Sequence, residues 1–155
     1  MPRKARFTFD EYSLAAISGS LVRLNLAVTN VQDCKSLYFC DKLEHLDLRD
    51  NFIEGLNEQV MPLLQTMQRL RTLDLRDNKV QLEARYREQM IMEGRSLAEL
   101  DGKTIRDQDR RYLYALAQQM SKKRLNRSAS LQSSEKRRSN SHKGFFSTNQ
   151  QSQFG

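Results

Sequence analysis

Leucines recur along this chain on a fixed frame. Leu43, Leu46 and Leu48 are followed by Asn51 and Ile53, and the frame returns as Leu70, Leu73, Leu75, Asn78 and Val80. A looser copy precedes both: Leu21, Leu24, Leu26, Thr29 and Val31, with Thr29 in place of the Asn. The copies start 22 and 27 residues apart. Within each, the Leu-x-Leu pair alternates with the period of a strand, so both leucines face the core and the residues between them face solvent. The chain must then turn away, and the buried backbone groups at that turn need partners. An Asn amide donates and accepts, so Asn51 and Asn78 are expected to form a structural ladder between copies.

Between the strands the period changes. Leu56, Val60, Leu63, Leu64 and Met67 form a helical face, with Asn57 as a cap and Pro62 restricting the start to residues after Met61. A second helix is expected over residues 83–92, with Tyr86, Met90 and Ile91 on one side and Gly94 at its end. Asp10 can cap a short helix through Ile17, stopped by Gly19, whose Leu14, Ala15 and Ile17 cover the first copy. Leu97, Leu100 and Ile105 restart the frame, but Asp101-Gly102 replaces the next strand leucine and closes the array. Arg106 to Lys123 reads as a last helix, with Tyr112, Leu113, Leu116 and Met120 on its apolar side.

Self-similarity of this length is the signature of a leucine-rich repeat. The fold class predicted is α/β: a short solenoid of about three and a half repeats, with a parallel concave sheet, convex helices and helical caps. Residues 1–20 hold the N-terminal segment and cap helix, 21–105 the repeats and their cap, 106–123 the C-terminal helix, and 124–155 a tail.

Charge sets the tail apart. Residues 1–120 contain 18 Lys/Arg and 18 Asp/Glu, whereas residues 121–155 contain 8 Lys/Arg against Glu135 alone. Its few large apolar residues cannot offset the entropy of ordering, which predicts a disordered basic C-terminal tail. Ser128 and Ser130 follow Arg124 and Arg127, and Ser139 and Ser141 follow Arg137 and Arg138, so these four are candidate phosphorylation sites. Each phosphate would add about −1.5 to −2 charges. The tail then reads either as an inert solubilising segment or as a switchable electrostatic contact with acidic tubulin tails, nucleic acid or a membrane surface.

Cys34 and Cys40 stand alone, without a second pair and with only His45 and His142 elsewhere, so packed reduced thiols are expected, and no metal or cofactor. No apolar leader is visible in MPRKARFTFDEY and no apolar run reaches about 18 residues, which points to a cytoplasmic setting without a membrane.

Strand residues facing solvent should stack in rows: Arg23, His45 and Thr72; Asn25, Asp47 and Asp74; Ala27, Arg49 and Arg76. A protein partner is expected on this concave face, the surface solenoids use. The alternative is a solvated, mixed-sign face. Stacked like charges would be unfavourable unless diagonal Asp–Arg pairs offset them. Nothing supports catalysis: phosphate loop, His-x-x-x-His pair and nucleophile elbow are all missing from the sequence. Nucleic acid is an unlikely partner by this reading, because the concave face lacks the aromatic and Arg cluster that stacks bases.

Tyr86-Arg87 followed by Leu97-x-x-Leu100-Asp101-Gly102 resembles the C-terminal cap of intracellular repeat proteins that include phosphatase-1 regulators, the axonemal dynein light chain, dynein assembly factors and the spliceosomal A-prime protein. The stretch from Tyr86 to Leu113, followed by Lys122-Lys123-Arg124, is most similar to a phosphatase-1 regulatory branch of this family. That resemblance implies a non-enzymatic adaptor of the microtubule cytoskeleton at centrosome, basal body or cilium, with protein phosphatase 1 and gamma-tubulin as partners. The alternative is an RNA-associated structural protein of the A-prime type. Arg6-Phe7-Thr8-Phe9 is similar to the basic-Val-x-Phe phosphatase docking motif, with Phe7 where Val or Ile is expected. Phe7 and Phe9 serve equally as an apolar staple for the N-terminal cap, the reading favoured here.

Overall fold

The computed structural model describes residues 11–143. The chain divides into two units, Met1–Leu113 and Tyr114–Gly155.

The first unit is a mixed α/β structure built on a five-stranded sheet in sequence order. Strands β1 (Arg23–Asn25), β2 (His45–Asp47), β3 (Thr72–Asp74) and β4 (Glu99–Leu100) run parallel, and β5 (Lys103–Thr104) pairs antiparallel with β4. Register aligns Leu24 with Leu46, Leu46 with Leu73 and Leu73 with Leu100. Leu43, Leu46, Leu48, Leu70, Leu73, Leu75 and Leu100 are buried in one core, as the frame predicts. Leu24, on the edge strand, is only partly buried because no neighbour covers its outer side.

Beyond each strand the turns repeat. Leu26 N–H donates to Asp47 O and Leu48 N–H to Asp74 O, both at 2.8 Å; Val28 N–H donates to Arg49 O and Asp50 N–H to Arg76 O, both at 2.9 Å. Val28, Asp50 and Asp77 occupy one frame position and share a left-handed backbone, with φ of 60°, 53° and 60°.

Asn51 and Asn78, each 5% exposed, form the ladder. The Asn51 amide oxygen accepts from Val31 N–H at 2.9 Å and Thr29 N–H at 3.2 Å, while its nitrogen donates to Leu26, Leu48 and Arg49 carbonyls at 2.8–3.0 Å. Asn78 accepts from Ile53 N–H at 3.0 Å and donates to the Leu48, Leu75 and Arg76 carbonyls. Thr29 performs part of this task through Oγ1 to Leu26 O at 2.6 Å.

Short helical segments carry the chain between strands. A 3-10 turn at Lys35–Phe39 buries Leu37, and a wide π-type turn at Leu56–Val60 leads into α2 (Met61–Thr66). The expected face of Leu56, Val60, Leu63, Leu64 and Met67 is buried. Its start differs from the expectation: Gly55, with φ of 79°, precedes the turn instead of an Asn57 cap, and Glu83 Oε1 accepts the Leu56 N–H at 2.7 Å. A 3-10 turn at Lys79–Leu82 precedes α3 (Tyr86–Glu93), which begins later than position 83 because Arg85 adopts φ of 58°. Gly94 follows it as expected.

Helix α1 (Glu11–Ser18) buries Leu14, but Ile17 is 50% exposed and so does little covering. Asp10 lies outside the described residues. Cys34 and Cys40 are buried free thiols, and burial, followed by the charge of Asp33, pushes Cys34 up to about 12.

The largest departure is α4, which spans Asp107–Lys143 instead of ending at Lys123. The stretch 124–143 is therefore helical, not a disordered tail. A helix satisfies its backbone internally and needs no apolar face to do so. Its serines bond back to the helix: Ser128, Ser130, Ser133 and Ser134 hydroxyls donate to carbonyls three residues earlier at 2.7–2.9 Å. Of the expected apolar side, only Leu113 is buried; Leu116 is half-buried, and Tyr112 and Met120 are exposed. No described helix is long and apolar enough to cross a membrane.

Candidate functional site

The solvent-facing side of the sheet gathers most of the residues singled out from sequence. Arg23, His45, Thr72 and Glu99 stand in one register row, and Asn25, Asp47 and Asp74 in the next. They line a shallow depression of about 370 Å³ together with Leu24, Leu46 and Leu73, whose side chains pack toward the core on the other side of the sheet. Glu99 was missed by the sequence reading, although Leu97-Ala98-Glu99-Leu100 repeats the frame of Leu70-Arg71-Thr72-Leu73.

Charges on this face are paired, which resolves the stacking problem. Arg49 clasps Asp47 through Nε at 3.0 and 3.1 Å and Nη2 at 2.8 Å. Arg76 clasps Asp74 in the same way, at 2.9 Å from Nε and 2.6 Å from Nη2. One diagonal contact joins the pairs, Arg49 Nε to Asp74 Oδ2 at 3.6 Å. The offset therefore lies mainly within each Asp-x-Arg unit. Burial raises the Asp47 carboxyl, but the hydrogen bonds and charge of Arg49 outweigh it, so Asp47 sits below the usual carboxylate range. Those same contacts push both guanidiniums up.

His45 Nδ1 lies 2.7 Å from Thr72 Oγ1. With Asp47 held by Arg49 and Cys40 fully buried in the core, His45, Asp47 and Cys40 do not assemble a nucleophile with its base. What remains open on this face is a row whose sign changes from Arg23 to Glu99, beside two neutralised ion pairs. Such a surface orients a polar partner by complementary charge.

The closing segment is built by Asp101, Gly102, Tyr86 and Arg87, which the sequence reading placed in the cap, and by Arg110, which it left unassigned. Asp101 (φ 54°) and Gly102 (φ 71°) make the tight turn of the β4–β5 hairpin, the conformation an Asp-Gly pair favours. Asp101 Oδ1 accepts Leu75 N–H at 2.8 Å, replacing the carbonyl a further repeat would supply. Arg87 Nη1 donates to Leu100 O at 3.1 Å. Arg110 donates to the carbonyls of Ile91, Gly94 and Leu97 and so ties the start of α4 to the end of α3. Tyr86 is buried, and its hydroxyl lies beside the Asp101 carboxylate without meeting hydrogen-bond geometry; burial, then the Asp101 charge, pushes its pKa up.

Ser128 and Ser130 are exposed on α4; Ser139 and Ser141 fall in its last turns. Phe7 and Phe9 lie outside the described residues.

No family model matches the chain. Among solved structures it is similar to that of the Chaetomium Mex67:Mtr2 subunits, at 23% identity over 66% of this chain and 75% of that chain, with a TM-score of 0.55. It is also similar to the Drosophila melanogaster SNF/U2A′ complex, at 21% identity over 72% of this chain and 75% of that chain, with a TM-score of 0.48. The first of these likenesses shows a shared fold.

Proposed function

We propose that the chain is a leucine-rich repeat solenoid of about three and a half repeats that works as a non-enzymatic protein-binding adaptor. The observation that carries this reading is the in-register row Arg23–His45–Thr72–Glu99, which lines a shallow depression across one face of the sheet. The paired state of Asp47 and Asp74 supports the non-enzymatic part, because both carboxylates are already committed to guanidiniums. The resemblance of the Tyr86-Arg87 and Leu100-Asp101-Gly102 cap to the testis leucine-rich repeat protein narrows the class. It suggests an adaptor at centrosome, basal body or cilium, linked to phosphatase-1 and gamma-tubulin. The RNA-associated reading is the second, favoured by the cationic α4.

Localisation of the tagged full chain separates them. Puncta at centrioles or axonemes, dispersed by Arg23→Glu with His45→Glu, would bear the adaptor reading out. Nuclear speckles, or puncta indifferent to those substitutions, would overturn it. Recovery of phosphatase unchanged by removal of residues 1–10 would take Phe7 and Phe9 out of the account.

A further inference from the structure

Residues 114–143 carry eight Lys/Arg against Glu135 alone, while residues 1–113 are balanced. The cations fall in two clusters on α4: Lys122, Lys123, Arg124 and Arg127, then Lys136, Arg137 and Arg138, all exposed. None of the first four has an ion-pair partner among the described residues. At about 100° per residue, Lys122 and Arg124 leave the helix on opposite sides, and Lys136 and Arg138 repeat that arrangement about 21 Å further along. We propose that this segment of α4 is a duplex-DNA-binding helix that lies in the major groove, held by the phosphates on both flanks.

Apolar recognition is ruled out by position. Leu125 and Leu131 are 68% and 65% exposed and leave the helix roughly 120° apart, so there is no stripe for a bilayer or a partner helix. Unpaired bases would need stacking platforms, and the sequence has no Phe, Tyr or Trp from 115 to 144. The partner must therefore present dense charge and hide its bases. Over the ~24 Å from residue 122 to 138, duplex DNA offers about 14 phosphate charges, at roughly 1.7 Å per charge. An extended acidic peptide offers about half as many, at roughly 3.3 Å per residue. A helix about 10–12 Å wide fits the B-form major groove of about 12 Å, whereas the A-form RNA groove is too narrow. The expectation that nucleic acid is an unlikely partner came from the concave face alone, which lacks a base-stacking cluster; α4 carries its cations elsewhere, on an ordered helix.

Anisotropy of the full chain with a labelled mixed-sequence DNA duplex of about 20 base pairs tests this. The log–log salt slope should approach about −6 if all seven cations engage. The variant Lys122→Gln, Lys123→Gln, Arg124→Gln, Arg127→Gln, with helicity checked by circular dichroism, should bind at least about tenfold more weakly, with a slope shallower by about 3 to 4. Arg69→Gln with Arg95→Gln, two exposed cations of the first unit, should bind as the unaltered chain does. Any of the following would overturn the proposal: a slope shallower than about −2, four-fold Gln replacement without effect, or equal loss from the Arg69 and Arg95 variant. So would an RNA duplex, polyglutamate or an anionic vesicle binding as tightly as the DNA.

Discussion

Replacing Asn51 by Ala probes the ladder that joins the turns beyond β1 and β2. The amide is buried and bonds to both turns. Its loss does not fall evenly on its partners. Leu26 O keeps the Thr29 hydroxyl at 2.6 Å, and Leu48 O keeps the Asn78 amide at 2.8 Å. Val31 N–H and Thr29 N–H, however, lose the Asn51 oxygen, which accepts from them at 2.9 and 3.2 Å. Leaving a buried donor unsatisfied costs about 1–3 kcal/mol. Two donors give at most ~2–6 kcal/mol, and because Thr29 N–H is only part-buried the predicted loss is ~2–4 kcal/mol, a large share of the ~5–15 kcal/mol typical of a whole domain. Urea unfolding followed by circular dichroism reads this as a shift in midpoint at constant slope. Asn51→Asp keeps the acceptor but loses the donors, so it should fall between Ala and the unaltered chain in backbone protection at Val31 and Thr29. A loss below about 0.5 kcal/mol for Asn51→Ala, within the scatter of ordinary surface substitutions, would refute the ladder as a source of stability.

Three further outcomes follow from single residues. Val28 is a β-branched residue at φ of 60°, where its counterparts are Asp50 and Asp77; Val28→Asn should raise stability by about 1 kcal/mol in the same melt, since the left-handed region costs most L residues ~1–2 kcal/mol. The buried Tyr86 hydroxyl lies beside the Asp101 carboxylate without a well-formed hydrogen bond, so Tyr86→Phe should be near neutral, and a loss above about 1 kcal/mol would show that the hydroxyl bonds Asp101 in solution. Cys34 has a folded pKa of about 12 against an ordinary 9.0; its stabilising contribution is complete below the unfolded value and is lost as pH rises through the folded one. The stability difference between the unaltered chain and Cys34→Ala should thus be flat below pH ~9 and shrink above it, and alkylation of Cys34 near neutral pH should require unfolding.

The sheet was legible because it rests on period-two leucines. Leu46, Leu48, Leu73 and Leu75 are all buried, and Asn51 and Asn78 bond as the frame requires. The rows of the candidate face followed from the same frame, and register pairs Arg23 with His45 and His45 with Thr72. Helix starts were less legible, because they depend on left-handed turns at Gly55 and Arg85 and on distant acceptors such as Glu83. The diagonal offset of stacked like charge was foreseen and is present between Arg49 and Asp74, but the stronger pairing was not legible, because Arg49 and Arg76 fold back onto the Asp two residues earlier, which strand periodicity cannot show. The basic tail was misread for a different reason. Its lack of apolar area was taken as a lack of order, yet from residue 103 to 143 the sequence contains neither Gly nor Pro. Helix breakers, not apolar content, carried that signal.

Everything on the candidate face depends on parallel strands 22 and 27 residues apart lying in register. NMR contacts between amide and Hα protons around Leu24, Leu46 and Leu73 test it most directly. Parallel cross-peaks should pair Arg23 with His45 and His45 with Thr72. Close Hα–Hα pairs of the antiparallel kind between these strands, or no contacts between them, would contradict the account.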